Sequence, residues 1–348
     1  MIELIKKLSN AHGVSGYEDE LREIIRGELE GTADEIKIDS MGNLIATRNG
    51  SEFELMLSAH MDEIGFVVKQ IDDRGFIRIA PIGGWFSQIA LAQRVVLYAK
   101  QKIYGVIGCK PPHLMKDEER KKSIEISDMF VDIGARSKED VFNLGISVGT
   151  PVALDREVAM LANNRITGKA FDNRVGVGVA IEAFRRSKSK ETIHLVATVQ
   201  EEVGLKGAKT SAFSIEPNVA IAVDSCVSAD FPGSESAHMD IALGKGAVIT
   251  VVDASGRGLI VSQAVLRWLR ETAEKHKIPY QLEVAEGGTT DASAINLTKS
   301  GIPAGVVSIP ARYIHSPVEV VDLNDVNTAV ELITRATENV REYFEVKK

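Results

Sequence analysis

Histidine and carboxylate side chains of the kind that bind metal ions occur in five separate stretches of this 348-residue sequence. The candidate ligands are His60, Asp172, Glu202, Asp224 and His315, with the acids Asp62 and Glu201 close to two of them. Two imidazoles with several carboxylates and no cysteine suit a co-catalytic pair of zinc, cobalt or manganese ions, and not a structural zinc site. If these residues converge in space, the protein is a metallohydrolase.

Three of these stretches follow apolar runs that predict β-strands. His60 follows the run 54–59, Glu201 follows the run 192–200, and Asp224 follows 219–223. Ligands in open α/β sheets bind beyond the carboxyl ends of the strands, so we expect these side chains to meet at one edge of a sheet.

The elements that would position these residues alternate between strands and helices. Strands are expected at 36–38, 43–46, 54–59, 192–200, 219–223, 280–284 and 304–308. Helices are expected at 3–10, 18–30, 175–186, 205–213, 260–276, 291–299 and 324–344. This alternation predicts an α/β fold with a mostly parallel central sheet flanked by helices.

Residues 72–164 have a different character, with short β-like runs separated by turn-forming residues and without long amphipathic helices. Candidate ligands lie on both sides of this segment. We therefore predict a catalytic domain formed by 1–71 and 165–348, into which a small β-barrel-like domain, 72–164, is inserted.

Three local patterns have structural interpretations. Ser15 and Glu18 have the spacing of a capping box at the start of the second helix. Thr290 or Asp291 is expected to cap the helix that follows the Gly287–Asp291 loop. The glycines at 176 and 178 lack the full dinucleotide-binding pattern and favour close packing of a helix on the sheet.

Composition limits the classes of partner and the compartment. The net charge of −8 disfavours nucleic acid and anionic membranes, and no apolar run approaches the roughly 18 residues of a spanning helix. The two cysteines, Cys109 and Cys226, lie in separate segments and are expected to be reduced. We therefore expect a cytoplasmic protein.

Three segments carry a resemblance to a known family: 59–65 (AHMDEIG), 199–204 (VQEEVG) and 310–316 (PARYIHS). They resemble the M42 aminopeptidases of the co-catalytic metallopeptidase clan, which include the tetrahedral (TET), glutamyl and deblocking aminopeptidases. The resemblance extends over essentially the whole chain, including the β insertion.

The resemblance implies a role for each candidate residue. It also implies two divalent metal ions per subunit, which would be zinc or cobalt, with manganese as a further option. One ion would be held by His60, Asp172 and Asp224, and Asp172 would bridge to a second ion completed by Glu202 and His315. Glu201 would be the general base for a metal-bridging water, and Asp62 would orient His60.

The resemblance also implies the substrate and the assembly. Residues would be removed from the N-termini of peptides, and subunits would self-associate through 72–164 into a tetrahedral homododecamer. The Gly287–Asp291 loop would lie near the substrate pocket. One position departs from the family pattern, because Asn173 stands where a second aspartate often follows the bridging one.

Other functions use parts of the same residue set. A carboxypeptidase or deacylase of the same clan needs the same dinuclear centre, so the site alone does not separate these amidohydrolases from an aminopeptidase. A glycosidase would use Glu201 with another acid and needs no histidine ligands. A non-catalytic metal-binding protein would have no use for Glu201.

Overall fold

The strands of the protein form a large mixed sheet and a closed barrel. The structure is a computed structural model that describes residues 1–235 and 238–346. In chain order the strands are β1 (Glu35–Ile38), β2 (Leu44–Arg48), β3 (Ser51–His60), β4 (Gly65–Ile71), β5 (Ile77–Ile82), β6 (Arg94–Tyr98), β7 (Lys102–Gly108), β8 (Phe130–Asp132), β9 (Pro151–Leu154), β10 (Ala159–Met160), β11 (Arg165–Gly168), β12 (Glu191–Thr198), β13 (Val219–Val227), β14 (Ala247–Val252), β15 (Tyr280–Val284), β16 (Ala304–Arg312) and β17 (Glu319–Asp322).

The helices cover the large sheet or connect strands of the barrel. They are α1 (Ile2–Asn10), α2 (Asp19–Leu29), α3 (Ser87–Ala90), α4 (Asp117–Arg120), α5 (Lys138–Asn143), α6 (Phe171–Arg186), α7 (Lys206–Ile215), α8 (Gln263–His276), α9 (Asp291–Asn296) and α10 (Leu323–Asn339). Helix α6 packs against β3, β13, α1 and α10, while α7 and α9 contact each other and strands of the same sheet. Among the helices of the described residues, none is long and apolar enough to cross a lipid bilayer.

The centre of the large sheet is parallel, and antiparallel pairs connect it to the outer strands; β14 pairs antiparallel with β16 and parallel with β15. Strands β12, β3, β13 and β16 run side by side in the same direction, whereas β1, β2, β17, β11 and β10 extend the sheet through antiparallel pairs. The central strands are almost wholly buried, as their continuous apolar sequences require. The prediction of an α/β fold with a parallel central sheet and an inserted barrel is confirmed.

The barrel has its own apolar core, formed by side chains such as Phe66, Leu97, Val131 and Val152. Its strands follow the order β4, β5, β8, β7, β6, β9 around the barrel. The first strand begins at Gly65, before the expected boundary at 72, because β4 pairs with β5 and β9. Strands β10 and β11, in contrast, pair within the large sheet. The division into 1–71, 72–164 and 165–348 stays a prediction about folding units.

Candidate metal centre

The candidate ligands lie at one edge of the parallel strands. His60 is the last residue of β3, and Glu201 and Glu202 follow the end of β12. Asp224 lies within β13, which continues to Val227, so the expected strand end at residue 223 is wrong. The parallel register places Thr198 of β12 opposite His60, which brings the two strand ends together.

Two further ligands come from outside the strand ends. Asp172 lies at the start of α6, where its own backbone (φ −77°, ψ 102°) and that of Asn173 (φ −123°, ψ 35°) are not helical. Regular helical geometry follows Asn173, close to the predicted helix start at residue 175. His315 lies in the loop between β16 and β17, with a backbone φ of 61°. All five predicted ligands therefore reach the same region of the structure.

The ligand atoms form two groups that share Asp172. In each group the possible ligand atoms lie within 4.8 Å of one another, and the groups are His60, Asp172, Asp224 and Asp172, Glu202, His315. One Asp172 oxygen, Oδ1, lies 3.2 Å from His60 Nε2, and the other, Oδ2, lies 3.4 Å from His315 Nε2. The two oxygens of one carboxylate thus face two different imidazoles, as a bridging ligand requires.

The second group leaves one acceptor free for an ion. Glu202 Oε2 lies 3.2 Å from His315 Nε2, whereas Glu202 Oε1 is buried and has no hydrogen-bond partner among the described residues. A buried carboxylate oxygen without a partner is unfavourable unless a cation or donor satisfies it. This oxygen and the set of nitrogen and carboxylate donors fit a divalent ion such as zinc, cobalt or manganese.

Asp62 connects His60 to the Glu201–Glu202 turn. His60 Nδ1 lies 3.2 Å from the Asp62 carbonyl oxygen and 3.5 Å from its carboxylate, which leaves Nε2 directed at Asp172. The Asp62 carboxylate also accepts hydrogen bonds from the backbone N–H groups of Glu201 (2.9 Å) and Glu202 (3.2 Å). A single buried carboxylate therefore orients groups from two neighbouring strand ends.

The capping-box prediction for Ser15 and Glu18 is wrong. Helix α2 begins at Asp19 without a side-chain cap, and the Ser15 hydroxyl donates to Asp62 Oδ2 at 2.6 Å. Glu18 Oε1 accepts from the backbone N–H groups of Gly16 (2.7 Å) and Gln200 (3.2 Å). The side chains of Ser15 and Glu18 therefore make tertiary hydrogen bonds to Asp62 and to the Gln200 backbone and do not cap the helix.

Glu201 lies beside the first group without belonging to it. Its Oε2 is 3.9 Å from His60 Nε2. Burial raises the pKa of the Glu201 carboxyl well above its usual value, and although His60 opposes this shift, the nearby charges of Asp224 and Asp291 add to it. The carboxylate is therefore a better proton acceptor than an exposed glutamate.

The site as a whole is rich in negative charge. Burial alone would lower the pKa of the His315 imidazole, but hydrogen bonds to Asp172 and Glu202 outweigh it and raise the pKa to about 11. Burial raises the pKa of Asp224 well above normal, with Asp172 contributing repulsion. Such an excess of carboxylates favours binding of divalent cations.

Asn173 has a structural role in place of a second aspartate. Its Nδ2 donates to the carbonyl oxygen of Val223 at 2.7 Å, directly before Asp224 on β13. A Cβ at Gly176 would lie 1.9 Å from Asn173 Oδ1 and 3.0 Å from the Val223 oxygen. The close packing of a helix on the sheet that was expected from Gly176 is thus present.

Asp291 lies beneath the site and does not cap α9. Thr290 is the N-cap residue but makes no side-chain capping bond, and the helix ends at Asn296 instead of residue 299. Asp291 Oδ2 accepts hydrogen bonds from the hydroxyls of Ser58 and Thr198, each at 2.6 Å. These hydroxyls belong to β3 and β12, so Asp291 braces the strands that end at His60 and Glu201.

The barrel also contacts the site. The turn after β5 contains Gly84, at which a Cβ would lie 3.1 Å from Nδ1 of His315. No ligand candidate comes from the barrel, yet its backbone lies directly against a candidate ligand. The sequence does not indicate this contact, nor the hydrogen bond from Ser15 to Asp62, because isolated polar residues without metal-ligand spacing have no recognisable pattern.

The chain is similar to known aminopeptidases in both sequence and structure. The M42 glutamyl aminopeptidase family matches residues 42–332. Lysyl aminopeptidase of Pyrococcus furiosus is 36% identical over 97% of this chain and 97% of its own length. An aminopeptidase of the archaeon Desulfurococcus kamchatkensis is 46% identical and superimposes with a TM-score of 0.93, covering 99% of this chain and 98% of that one.

A third relative is known to form large assemblies. The TET1 peptidase of Pyrococcus horikoshii is 35% identical with a TM-score of 0.88, covers 99% of both chains, and can assemble into a tetrahedron or a large octahedral shell. The family match covers most of the chain, and the resemblance extends through the barrel. The chain therefore belongs to the M42 glutamyl aminopeptidase family and is a hydrolase of the aminopeptidase class.

Proposed function

We propose that this chain is a two-metal aminopeptidase that removes N-terminal residues from peptides. The observation that carries the proposal is the position of Asp172, whose two carboxylate oxygens face His60 and His315 on opposite sides. A single ion would need only one of these oxygens. The shared carboxylate supports a pair of adjacent ions, as in other co-catalytic hydrolases.

The two groups of residues would give each ion three ligands, with Asp172 shared between them. His60, Asp172 and Asp224 would hold one ion, and Asp172, Glu202 and His315 the other. Bound ions would polarise the scissile carbonyl and lower the pKa of water, which is the chemistry that zinc, cobalt or manganese supplies in such sites. Zinc and cobalt fit the donor set, and manganese is also compatible with it.

Glu201 would act as the general base. Its carboxylate takes a proton from the attacking water as the water oxygen bonds to the peptide carbonyl carbon. It then delivers that proton to the amine as the carbon–nitrogen bond breaks. Asp62 holds the Glu201 backbone N–H and orients His60, so it supports both the base and a ligand.

We also propose that the barrel mediates self-association into a tetrahedral homododecamer. Large apolar side chains are exposed on residues 72–164, among them Phe86, Tyr104, Val106, Leu114, Phe142, Val148, Met160 and Leu161. Exposed apolar groups of this kind favour protein contacts. The assembly of the Pyrococcus horikoshii relative supports the proposal, which treats 72–164 as an insertion into the catalytic unit 1–71 and 165–348.

The assembly can be tested by light scattering. Tyr104 and Val106 lie on the outward face of β7, at alternating exposed positions. We expect lysine at both positions to convert a large particle into smaller ones. An intact protein that is already small, or a doubly substituted protein of unchanged mass, would contradict the proposal.

The activity can be tested with a panel of substrates. Aminoacyl-p-nitroanilides, including those of lysine and glutamate, are compared with N-blocked peptides and with a peptide open only to carboxypeptidases. We expect hydrolysis of free N-terminal substrates, lost with a chelator and restored by zinc or cobalt. Cleavage of C-terminal residues or of N-acyl groups alone would favour another amidohydrolase, and chelator-resistant cleavage of a glycoside would favour a glycosidase.

A further inference from the structure

One buried carboxylate joins the backbones of two candidate metal ligands. Glu319 Oε2 accepts a hydrogen bond from the backbone N–H of Asp172 at 3.0 Å, and Oε1 accepts from the backbone N–H of His315 at 2.9 Å. Glu319 is only 2% exposed. The carboxylate thus lies between the two residues whose side chains converge on the second ion position.

Both of these N–H groups lack a partner within regular secondary structure. Asp172 lies at the start of α6 with a non-helical backbone (φ −77°, ψ 102°), before the N–H groups that have intrahelical acceptors. His315 has a positive φ of 61°, which is uncommon for a residue other than glycine. Because Glu319 accepts from both, it fixes the backbone of the helix start relative to that of the His315 loop.

Strand pairing makes this position rigid. Glu319 is the first residue of β17 and lies opposite Gly168 of β11 in an antiparallel pair. Strand β11 leads directly into the Asp172 segment, and His315 precedes Glu319 by one short turn. The segment that follows β11 and the loop that precedes β17 are therefore both bonded to this carboxylate.

The carboxyl group of Glu319 is held in place by its own hydrogen bonds. Both oxygens accept hydrogen bonds, as an ionised carboxylate can, whereas a protonated acid would direct one hydrogen at a donor. Lys169 lines the same small cavity, of about 10 Å³, but its ammonium is bonded to Glu63. Lys169 therefore does not pair with Glu319, whose two oxygens are occupied by the backbone N–H groups of Asp172 and His315.

We propose that Glu319 is a positioning residue for the second ion, holding Asp172 and His315 at the separation that this ion requires. The inference rests on the proposed function, because it assumes that Asp172, Glu202 and His315 bind metal. Glu319 itself would not bind the ion. It would act through hydrogen bonds to the backbone of two residues that do, Asp172 and His315.

The test uses the full-length chain stripped of metal and titrated with Co²⁺. Metal content is measured by elemental analysis after dialysis, and site geometry by visible absorption. Glu319→Gln replaces one acceptor oxygen with an amide donor and leaves one backbone N–H unpaired. Glu319→Asp keeps the charge but shortens the reach, and it provides a second variant if the first does not fold.

Asp325→Asn is the matched control. Asp325 is also buried and accepts from two backbone N–H groups, those of Gly244 (2.6 Å) and Gly246 (2.7 Å), but it touches none of the candidate ligands. Both amide variants should lose stability in urea without metal. Only Glu319→Gln should bind the second Co²⁺ more weakly, by about 10- to 100-fold, with Glu319→Asp intermediate.

Activity should follow the same pattern. Turnover by Glu319→Gln should be low at limiting Co²⁺ and return close to the wild-type value at saturating Co²⁺. Second-ion affinity equal to wild type in both Glu319 variants, or an equal loss in Asp325→Asn, would overturn the inference. A wild-type chain that binds fewer than two ions would instead contradict the proposed function, so the two failures are distinguishable.

Discussion

The Lys169 ammonium lies 2.8 Å from the Glu63 carboxylate, and both side chains are almost completely buried. The guanidinium of Arg174 lies 3.4 Å from Oε1 of the same carboxylate. Lys169 and Arg174 flank Asp172 in the sequence, and Glu63 follows Asp62 directly. This ion cluster therefore joins the strand end at His60 to the segment that carries the shared ligand.

Removal of Lys169 should strongly destabilise the chain. Lys169→Met leaves Glu63 buried with the 3.4 Å ion pair to Arg174 and a 3.0 Å hydrogen bond from the Gly13 backbone N–H. Breaking a buried ion pair on one side costs about 3–5 kcal/mol. Urea unfolding of the single variants and of Lys169→Met/Glu63→Gln measures the effect. We expect the double variant to recover part of the loss, and a single-variant loss below about 1 kcal/mol would show that the cluster contributes little.

Gly176→Ala should be far more damaging than Gly178→Ala on the same helix. At Gly176 the new Cβ would overlap Asn173 Oδ1 at 1.9 Å, whereas at Gly178 the nearest atom is a Leu8 methyl at 3.7 Å. We expect Gly176→Ala to lose about 1–3 kcal/mol and to bind metal less completely, because Asn173 adjoins Asp172. Gly178→Ala should be neutral or stabilising by up to about 1 kcal/mol. Equal unfolding midpoints for the two variants would contradict this interpretation.

The stability of the wild-type protein relative to Glu18→Gln should depend on pH. Burial, together with the charge of Asp62, raises the pKa of Glu18 from 4.5 to about 7. The folded state then holds this proton more tightly than the unfolded state, so the contribution of Glu18 to stability falls as pH rises from about 4.5 to 7.

The glutamine variant keeps the Oε1 acceptor that both backbone donors use, so hydrogen bonding is preserved. Its stability relative to wild type should increase by up to about 3 kcal/mol between pH 4.5 and pH 7. Urea unfolding of both proteins across this range tests the prediction. A stability difference that does not change with pH would show that Glu18 titrates normally.

The sequence was informative where chemistry and strand periodicity coincide. His60 and the pair Glu201–Glu202 were predicted to follow strands that end at one edge of a parallel sheet, and the structure has this arrangement. The α/β architecture and the inserted barrel were also predictable, because long apolar runs and short turn-rich runs differ clearly. The histidine and carboxylate residues at or near strand ends were sufficient to indicate the metal site.

Other features depend on tertiary contacts that have no local pattern. Ser15 and Glu18 fit a helix cap in sequence, but their side chains bond to Asp62 and to the Gln200 backbone instead. Glu319 resembles any acid at the start of a strand until His315 and Asp172 are placed around it. Strand β4 was missed because Gly65–Ile71 closely follows β3, yet it pairs with β5 and β9 of the barrel and not with β3.

The adjacent acids Glu201 and Glu202 provide the most direct test of the proposed mechanism. Metal content and turnover are measured on the same preparations of Glu201→Gln and Glu202→Gln. As general base, Glu201 can be replaced without losing an ion, so Glu201→Gln should retain two metals while kcat falls by roughly 10²–10⁴-fold with little change in KM. Glu202→Gln should lose the second metal. Full activity in Glu201→Gln with both metals bound would contradict the mechanism, and loss of a metal from Glu201→Gln but not from Glu202→Gln would exchange the two roles.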